Sequence, residues 1–335
     1  MVPGRLKELT ADLPESICFL TDAGTLYENI LPFQKLLMPL LTYFSLILTM
    51  LLWGGTFIAG RLLAGSVEPA SAAFLRFLIA SVAMLILTRL VEKKLILPAK
   101  KMWLPLILLG MTGVFAYNVF FFSGLQHISA GRASLIISCT PLVITIFAAI
   151  FLGERLTSLK AFGVLLSLCG AITVISNGHP GSLLSGGFGT GEQALIGCVL
   201  SWSAYSLIGR SVLVSLSPLS AVCYSSMIGT LLLSVPAAGE GLFGRLSTIT
   251  FLDWASLAYL GIFGTAVGFS LYYQGIRKIG ASRAGIFINL VPLFSILLSW
   301  LILGESVKLT VLAGGMLVLT GVTLTNLRKS RELTS

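Results

Sequence analysis

The sequence predicts an all-α integral membrane protein with ten transmembrane helices, arranged as two inverted five-helix repeats. Three observations carry this expectation. Of the 335 residues, 56% are apolar and only 10% charged, against roughly 25% charged in an ordinary soluble domain. The apolar residues gather into ten runs near the ~20-residue length that crosses a hydrocarbon core: 39–60, 70–91, 103–123, 131–152, 159–177, 193–213, 218–237, 254–274, 282–303 and 309–327. The chain is also duplicated. Trp53, Gly60, Arg61 and Pro69 recur 149 residues later as Trp202, Gly209, Arg210 and Pro218, and residues 124–154 recur as 275–305 with 11 identities over 31 positions. Five crossings per copy would insert the second copy upside down relative to the first.

Helices are expected rather than barrel strands because the runs show no period-two alternation, and lipid-facing backbone must be satisfied within a helix or a closed barrel. Span 1 carries Trp53, and span 2, opened by Pro69, carries Arg76. Span 3 holds Tyr117 and Asn118. Span 4 begins at Arg132, contains Ser138 and Pro141, and ends on Gly153-Glu154. Span 5 has Gly163 and Gly170, matched by Gly314 and Gly321 of span 10; small residues at helical spacing permit close helix contact in lipid, so these two spans read as packing elements. In the second copy, span 6 carries Trp202 and Tyr205, and span 7 has Ser225 where span 2 has Arg76. Span 8 carries Phe269 and Tyr273. Span 9 begins near Arg283, contains Asn289 and Pro292, and ends on Gly304-Glu305. The organisation is a tail at 1–37, a first repeat at 38–177, a Gly/Ser-rich connector at 178–191, a second repeat at 192–327 and a tail at 328–335. Residues 1–37 read as a loosely ordered cytoplasmic tail, or as an over-extended start with Met38 as initiator.

The net charge of +9 invites a nucleic-acid reading, but its distribution argues against one. With the N-terminus inside and ten spans, seventeen basic residues fall on the cytoplasmic side and four outside, with Arg76 inside a span. This positive-inside bias places both termini in the cytoplasm of an inner (plasma) membrane. The five cysteines show no ligand spacing and read as small buried hydrophobes. No nucleophile–base pair, metal cluster or phosphate loop lies at a plausible depth, so neither an enzyme nor a cofactor is expected. The expected partners are a small-molecule substrate and the lipid bilayer, with a monomer sufficient.

Inverted repeats point to a secondary transporter with its site at the repeat interface near the midplane. Arg76, the only charge well inside an apolar run, should face the bundle interior. It reads either as an anchor for a substrate carboxylate or as a structural arginine bonding helix carbonyls. Pro141 and Pro292, at matched depth, each remove a helix hydrogen bond and free the carbonyls of Ile137 and Ile288; they are the expected hinges, with Ser138 and Asn289 one turn away. Trp53 and Trp202 read either as interfacial anchors or, with Tyr117, Asn118, Tyr205, Phe269, Tyr273 and Asn289, as walls of a mostly apolar cavity. Arg132 with Glu305, and Arg283 with Glu154, would clasp opposite faces if spans 4 and 9 pack antiparallel. The acidic residues all lie in tails, loops or span ends, which favours facilitated diffusion, or coupling through Glu154 or Glu305.

The ten-span plan, W-G-x-x-F at Trp53–Phe57 in span 1, Leu75-Arg76-Phe77 in span 2, Ala133 to Pro141 in span 4, and the L-G-E closing spans 4 and 9 resemble the EamA-type branch of the drug/metabolite transporter superfamily. The resemblance covers roughly residues 40–327. It implies two inverted five-helix repeats that move small metabolites, often amino acids, across a bacterial inner membrane, with efflux by alternating access as the leading expectation. Uptake of a metabolite or cofactor such as a nucleoside derivative is the alternative, followed by a lipid flippase or a membrane-embedded regulatory subunit.

Overall fold

The computed structural model describes residues 19–93, 95, 97–151, 157–179, 181 and 189–326. The chain divides into two compact units, 1–45 and 46–335, and every site discussed below lies in the second. The described residues form helices and turns without strands. They contain nine helices long and apolar enough to cross a membrane, and a shorter apolar helix follows at Leu309–Thr325. We number the elements α1 (Phe19–Leu63), α2 (Pro69–Glu92), α3 (Lys100–His127), α4 (Ala130–Ile137 and Thr140–Phe151) and α5 (Ser158–Ile175). The second set is α6 (Thr190–Val212), α7 (Pro218–Gly239), α8 (Phe251–Ile279), α9 (Ala281–Phe287, Leu290–Leu298 and Ser299–Leu303) and α10 (Leu309–Asn326). The helix that carries span 1 begins at Phe19, within the 1–37 segment. The connector at 178–191 falls mostly outside the described residues, as do 1–18 and 327–335.

The inversion can be read from which matched residues meet. In α5 and α10, Gly163 lies against the Gly321 carbonyl and Gly170 against that of Gly314. The lower-numbered glycine of one helix thus faces the higher-numbered glycine of the other, so the copies run antiparallel. A Cβ at Gly170 would lie 2.5 Å from the Gly314 oxygen, which is why the seam takes glycine. In α2 and α7, Ser81 Oγ lies 3.0 Å from Thr230 Oγ1, its equivalent 149 residues on. The same pair is stapled reciprocally at both ends. The Glu240 carboxylate, just past α7, accepts from the Ala70 and Ser71 amides and the Ser71 hydroxyl at the start of α2. Glu92, at the end of α2, accepts from the Ser217 and Ser220 hydroxyls at the start of α7. A carboxylate at a helix N-terminus satisfies orphan donors and complements the helix dipole. Large apolar side chains such as Leu90, Leu231 and Trp300 stay exposed on the outer faces, as a lipid-facing surface requires.

Both repeats depart from regular helix at matched places. Pro141 and Pro292 break α4 and α9 into two pieces, with turns at Ser138–Cys139 and Ile288–Asn289. Proline cannot donate to the carbonyl four residues back, and its ring crowds that position. The expectation that the Ile137 and Ile288 carbonyls are thereby left open is corrected. Ile137 O accepts the Thr140 hydroxyl at 2.6 Å, and Ile288 O accepts the Val291 amide at 3.0 Å in a tightened turn. Within α3 and α8, residues Gly110–Ala116 and Tyr259–Val267 are π-helical, a form that widens the helix and releases backbone groups.

Candidate functional site

The π turns organise the site. In α3 the Tyr117 amide reaches back to Thr112 O, leaving the Gly113 and Val114 carbonyls to accept from the Asn118 side-chain amide at 3.3 and 2.8 Å. That fixes the orientation of Asn118, whose Oδ1 then accepts from Arg76 Nη1 at 2.8 Å. In α8 the matched residue Gly264 offers its carbonyl to the Trp53 indole N–H at 3.0 Å. The two glycines also receive matched neighbours: Tyr205 packs on Gly113 as Thr56 packs on Gly264, and Thr56 and Tyr205 are themselves 149 residues apart. Contacts between α1 and α8 thus repeat as contacts between α6 and α3.

Two aromatic clusters follow from this symmetry. Trp53 lies 5.5 Å from Phe269 and 5.1 Å from Tyr272, and Phe269 stacks on Tyr273. Opposite, Trp202 lies 5.2 Å from Tyr117 and stacks on Tyr205 at 5.0 Å. Such pairs add about 0.5–1.5 kcal/mol each beyond simple burial. Between the clusters lies a cavity of about 470 Å³. Every sequence-predicted residue lines it: Trp53, Arg76, Tyr117, Asn118, Ser138, Trp202, Tyr205, Phe269, Tyr273 and Asn289, together with Pro141 and Pro292. Trp53 and Trp202 are therefore walls of the cavity. Asn289 also donates to Thr323 of α10 at 3.2 Å, although no residue of α5 or α10 lines the cavity. Sequence reasoning missed Thr56, Tyr272 and Arg210. Thr56 could have been found as the repeat partner of Tyr205, and Arg210 was read only as the repeat partner of Arg61 and a cytoplasmic basic residue.

The cavity is blind at one end and open at the other. Arg76, Phe57 and Ser134 line the blind end, while Arg210 and Leu213, both exposed, line the mouth. Beyond the blind end the interior is filled by Leu63, Phe121, Phe122, Leu125 and Leu195, all buried to within about 1%. A polar seal covers this plug. Arg61 donates to Glu305 Oε1 at 3.1 Å and to the Leu125 and Gln126 carbonyls. Glu305 also accepts the Ala130 amide at the start of α4, and Gly304, at φ 65°, makes the chain reversal that delivers it. Arg132 donates to the last carbonyls of α5, Val174 and Ile175, and to Glu192 at 2.8 Å. Asp253 accepts from the Ser66 hydroxyl and caps α8 through Thr250. The expected Arg132–Glu305 clasp is thus corrected. The two ends do meet, but Glu305 takes the Ala130 amide and Arg61, while Arg132 reaches the opposite way to α5 and α6. The other expected clasp, Arg283 with Glu154, lies outside the described side chains.

Arg76 is 8% exposed. Besides its bond to Asn118 its guanidinium carbon lies 5.1 Å from the Phe77 ring centroid, and its Nε has no hydrogen-bond partner. No carboxylate pairs with it among the described residues. Buried donors without acceptors are uncommon in folded proteins, and this one belongs to a side chain that lines the cavity. No group of three or more metal-ligating side chains occurs among the described residues.

Comparison with known proteins agrees with this architecture. A crystal structure sharing 21% identity aligns over 84% of this chain and 95% of its own, with a TM-score of 0.57, and so has the same fold. The uncharacterized transporter YyaM of Bacillus subtilis is 30% identical over 80% of this chain and 88% of its own length. A probable terminal-alkyne amino-acid exporter of Streptantibioticus cattleyicolor is 28% identical over 85% of this chain and 93% of its own. The EamA-like transporter family model matches twice, over residues 40–176 and 189–327. With both halves of the duplication matched, this multi-pass membrane transporter, which is not an enzyme, belongs to the EamA-like transporter family.

Proposed function

We propose that the chain is a permease of the inner membrane that exports an amino acid or a related small carboxylate by alternating access, with both termini cytoplasmic. In that orientation the Glu305 end faces outward, so the arrangement of sealed plug and open mouth corresponds to an inward-facing state ready to load solute from the cytoplasm. The observation that carries the reading is Arg76. A guanidinium that lines the blind end of a cavity and has no carboxylate partner among the described residues is suited to a carboxylate, and a charged residue in a span is functional by default. The aromatic clusters give an apolar side chain its surroundings, and the volume falls in the range of about 300–1,000 Å³ usual for small-ligand sites. Similarity to the amino-acid exporter supports the same class and direction. Rocking about the breaks at Pro141 and Pro292 would open the outer side and close the inner.

Counterflow in proteoliposomes with a panel of labelled amino acids tests this reading. Selective flux of an apolar or aromatic member is expected, abolished by Arg76→Gln at unchanged protein yield. Flux of nucleosides but no amino acid, indifferent to that substitution, would overturn it.

A further inference from the structure

Resting on that reading, we infer that the cavity recognises its solute through the carboxylate alone, so that carboxylic acids lacking an α-amine are ligands as good as the amino acids. Ionised groups that leave water need either a counter-charge or a full set of hydrogen bonds. The cavity provides this for an anion. Arg76 lines the cavity without a carboxylate partner among the described residues, and its Nη1 is held in place by the chain of bonds from the π turn through Asn118.

For a cation the lining offers no carboxylate, only the aromatic faces of the two clusters. Arg76 and Arg210 are the charged residues among the described lining, which includes no aspartate or glutamate. Its hydroxyls at Thr56, Ser134, Ser138 and Thr140 donate to carbonyls of their own helices, so they can offer an ammonium only neutral lone pairs. Geometry adds a penalty. The ammonium of an α-amino acid is two bonds from its carboxyl carbon, so docking the carboxylate on Arg76 brings two positive charges close together. Like charges at that range in a partly desolvated site repel. Repulsion from Arg76 and attraction to the aromatic faces oppose each other, so the amine adds little net affinity. Removing it leaves the anchored group and the apolar side chain in place. The substrate class this defines is the small aryl- or alkyl-carboxylate, with amino acids as one tolerated subset.

The test uses the intact wild-type protein in nanodiscs and three probes with one side chain: phenylalanine, 3-phenylpropanoate, which lacks the amine, and 2-phenylethylamine, which lacks the carboxylate. Quenching of tryptophan fluorescence, to which Trp53 and Trp202 in the cavity wall contribute, reads binding, and counterflow reads transport. Expected are dissociation constants for the two acids within about 3-fold of each other, with the amine weaker by roughly 100-fold, as befits loss of a buried charge pair. In Arg76→Gln the preference for acids over the amine should disappear; should that variant fold poorly, Arg76→Lys is expected to keep the charge preference at reduced affinity. If phenylalanine binds and 3-phenylpropanoate does not, the inference fails while the amino-acid reading stands. If the amine binds as well as the acids, the inference fails as well. If none of the three binds or moves, both the inference and the reading it rests on fall.

Discussion

At position 76 the first repeat carries a buried arginine, and at the matched position the second carries Ser225, whose hydroxyl turns back to the Val222 carbonyl of its own helix. At 118 the first repeat has the asparagine that holds that arginine, and the second, 151 residues on, has Phe269 in an aromatic cluster. Around these differences the copies coincide: a tryptophan, a glycine in a π turn and a proline break recur at matched depth. Duplication thus supplies the cavity and its bending points twice over, and one copy alone supplies the buried charge, Arg210 of the other lying exposed at the mouth. An asymmetric solute with one carboxylate needs one cation, and a second at the symmetric position would repel the first. The seal is unequal too. Glu192 and Asp253 close the Glu305 end, whereas the positions 149 and 151 residues before Asp253 are Leu104 and Met102.

The most direct way to break this comparison is to make the first repeat like the second. Arg76→Ser should reduce substrate counterflow by roughly two orders of magnitude, since losing one partner of a buried charge pair costs about 2–5 kcal/mol. Retention of more than half the flux, at equal reconstituted protein, would show that the asymmetry does not serve recognition. A smaller effect, on stability and not on specificity, is expected in the α5–α10 seam. The Cβ of Gly170→Ala would meet the Gly314 oxygen at 2.5 Å and the Val318 amide nitrogen at 2.7 Å, whereas that of Gly314→Ala first meets Thr173 side-chain carbons at 2.9 and 3.0 Å. Overpacking costs about 1–3 kcal/mol, so thermal melts in detergent should rank Gly170→Ala below Gly314→Ala. The reverse order would mean the seam yields more easily on the α10 side.

Glu305→Gln probes the unequal seal. The carboxylate joins Arg61 of α1 to the start of α4, and because Arg61 is about a third exposed the loss should be near 1 kcal/mol, the upper end for a partly solvated pair. That is enough to raise several-fold the rate at which an impermeant maleimide, applied from the Glu305 side, labels a cysteine placed at Ser134. An unchanged rate would assign the closure to the apolar plug alone.

How far the sequence could be read is explained by the same symmetry. Residues at matched positions of two inverted copies lie equally far from the axis relating them, and those in mid-span share one depth, so Trp53 and Trp202, Pro141 and Pro292, and Ser138 and Asn289 could be placed around one cavity from spacing and depth. Side-chain partners were less legible. Arg132 and Glu305 both sit at helix ends, where a long side chain chooses among several carbonyls and carboxylates within reach, and that choice depends on the tilt of α5 and α6, which no periodicity encodes. The π turns were illegible for a related reason. Gly110–Ala116 reads as an ordinary run of small and apolar residues, and the Tyr205 ring that packs on Gly113 within the widened turn comes from a separate span. Tyr272 was passed over for its neighbour Tyr273, although both face inward.

The smallest effect is expected on the axis itself, where Ser81 and Thr230 meet. Thr230 donates its proton to the Ser226 carbonyl at 2.8 Å, so Ser81 is the donor across the 3.0 Å gap. Hydrogen bonds between membrane helices average about 0.6 kcal/mol, because the unfolded chain in lipid also finds partners. A double-mutant cycle of Ser81→Ala and Thr230→Val, read from melting curves, should give a coupling of that size. A coupling well above 1 kcal/mol would make this bond a principal tie between the repeats. A value near zero would leave α2 and α7 joined through the carboxylate staples of Glu92 and Glu240 at their ends, with a centre free to pivot. A rocking transporter needs its two halves joined at the axis weakly enough to turn, and the modest value expected here satisfies that requirement.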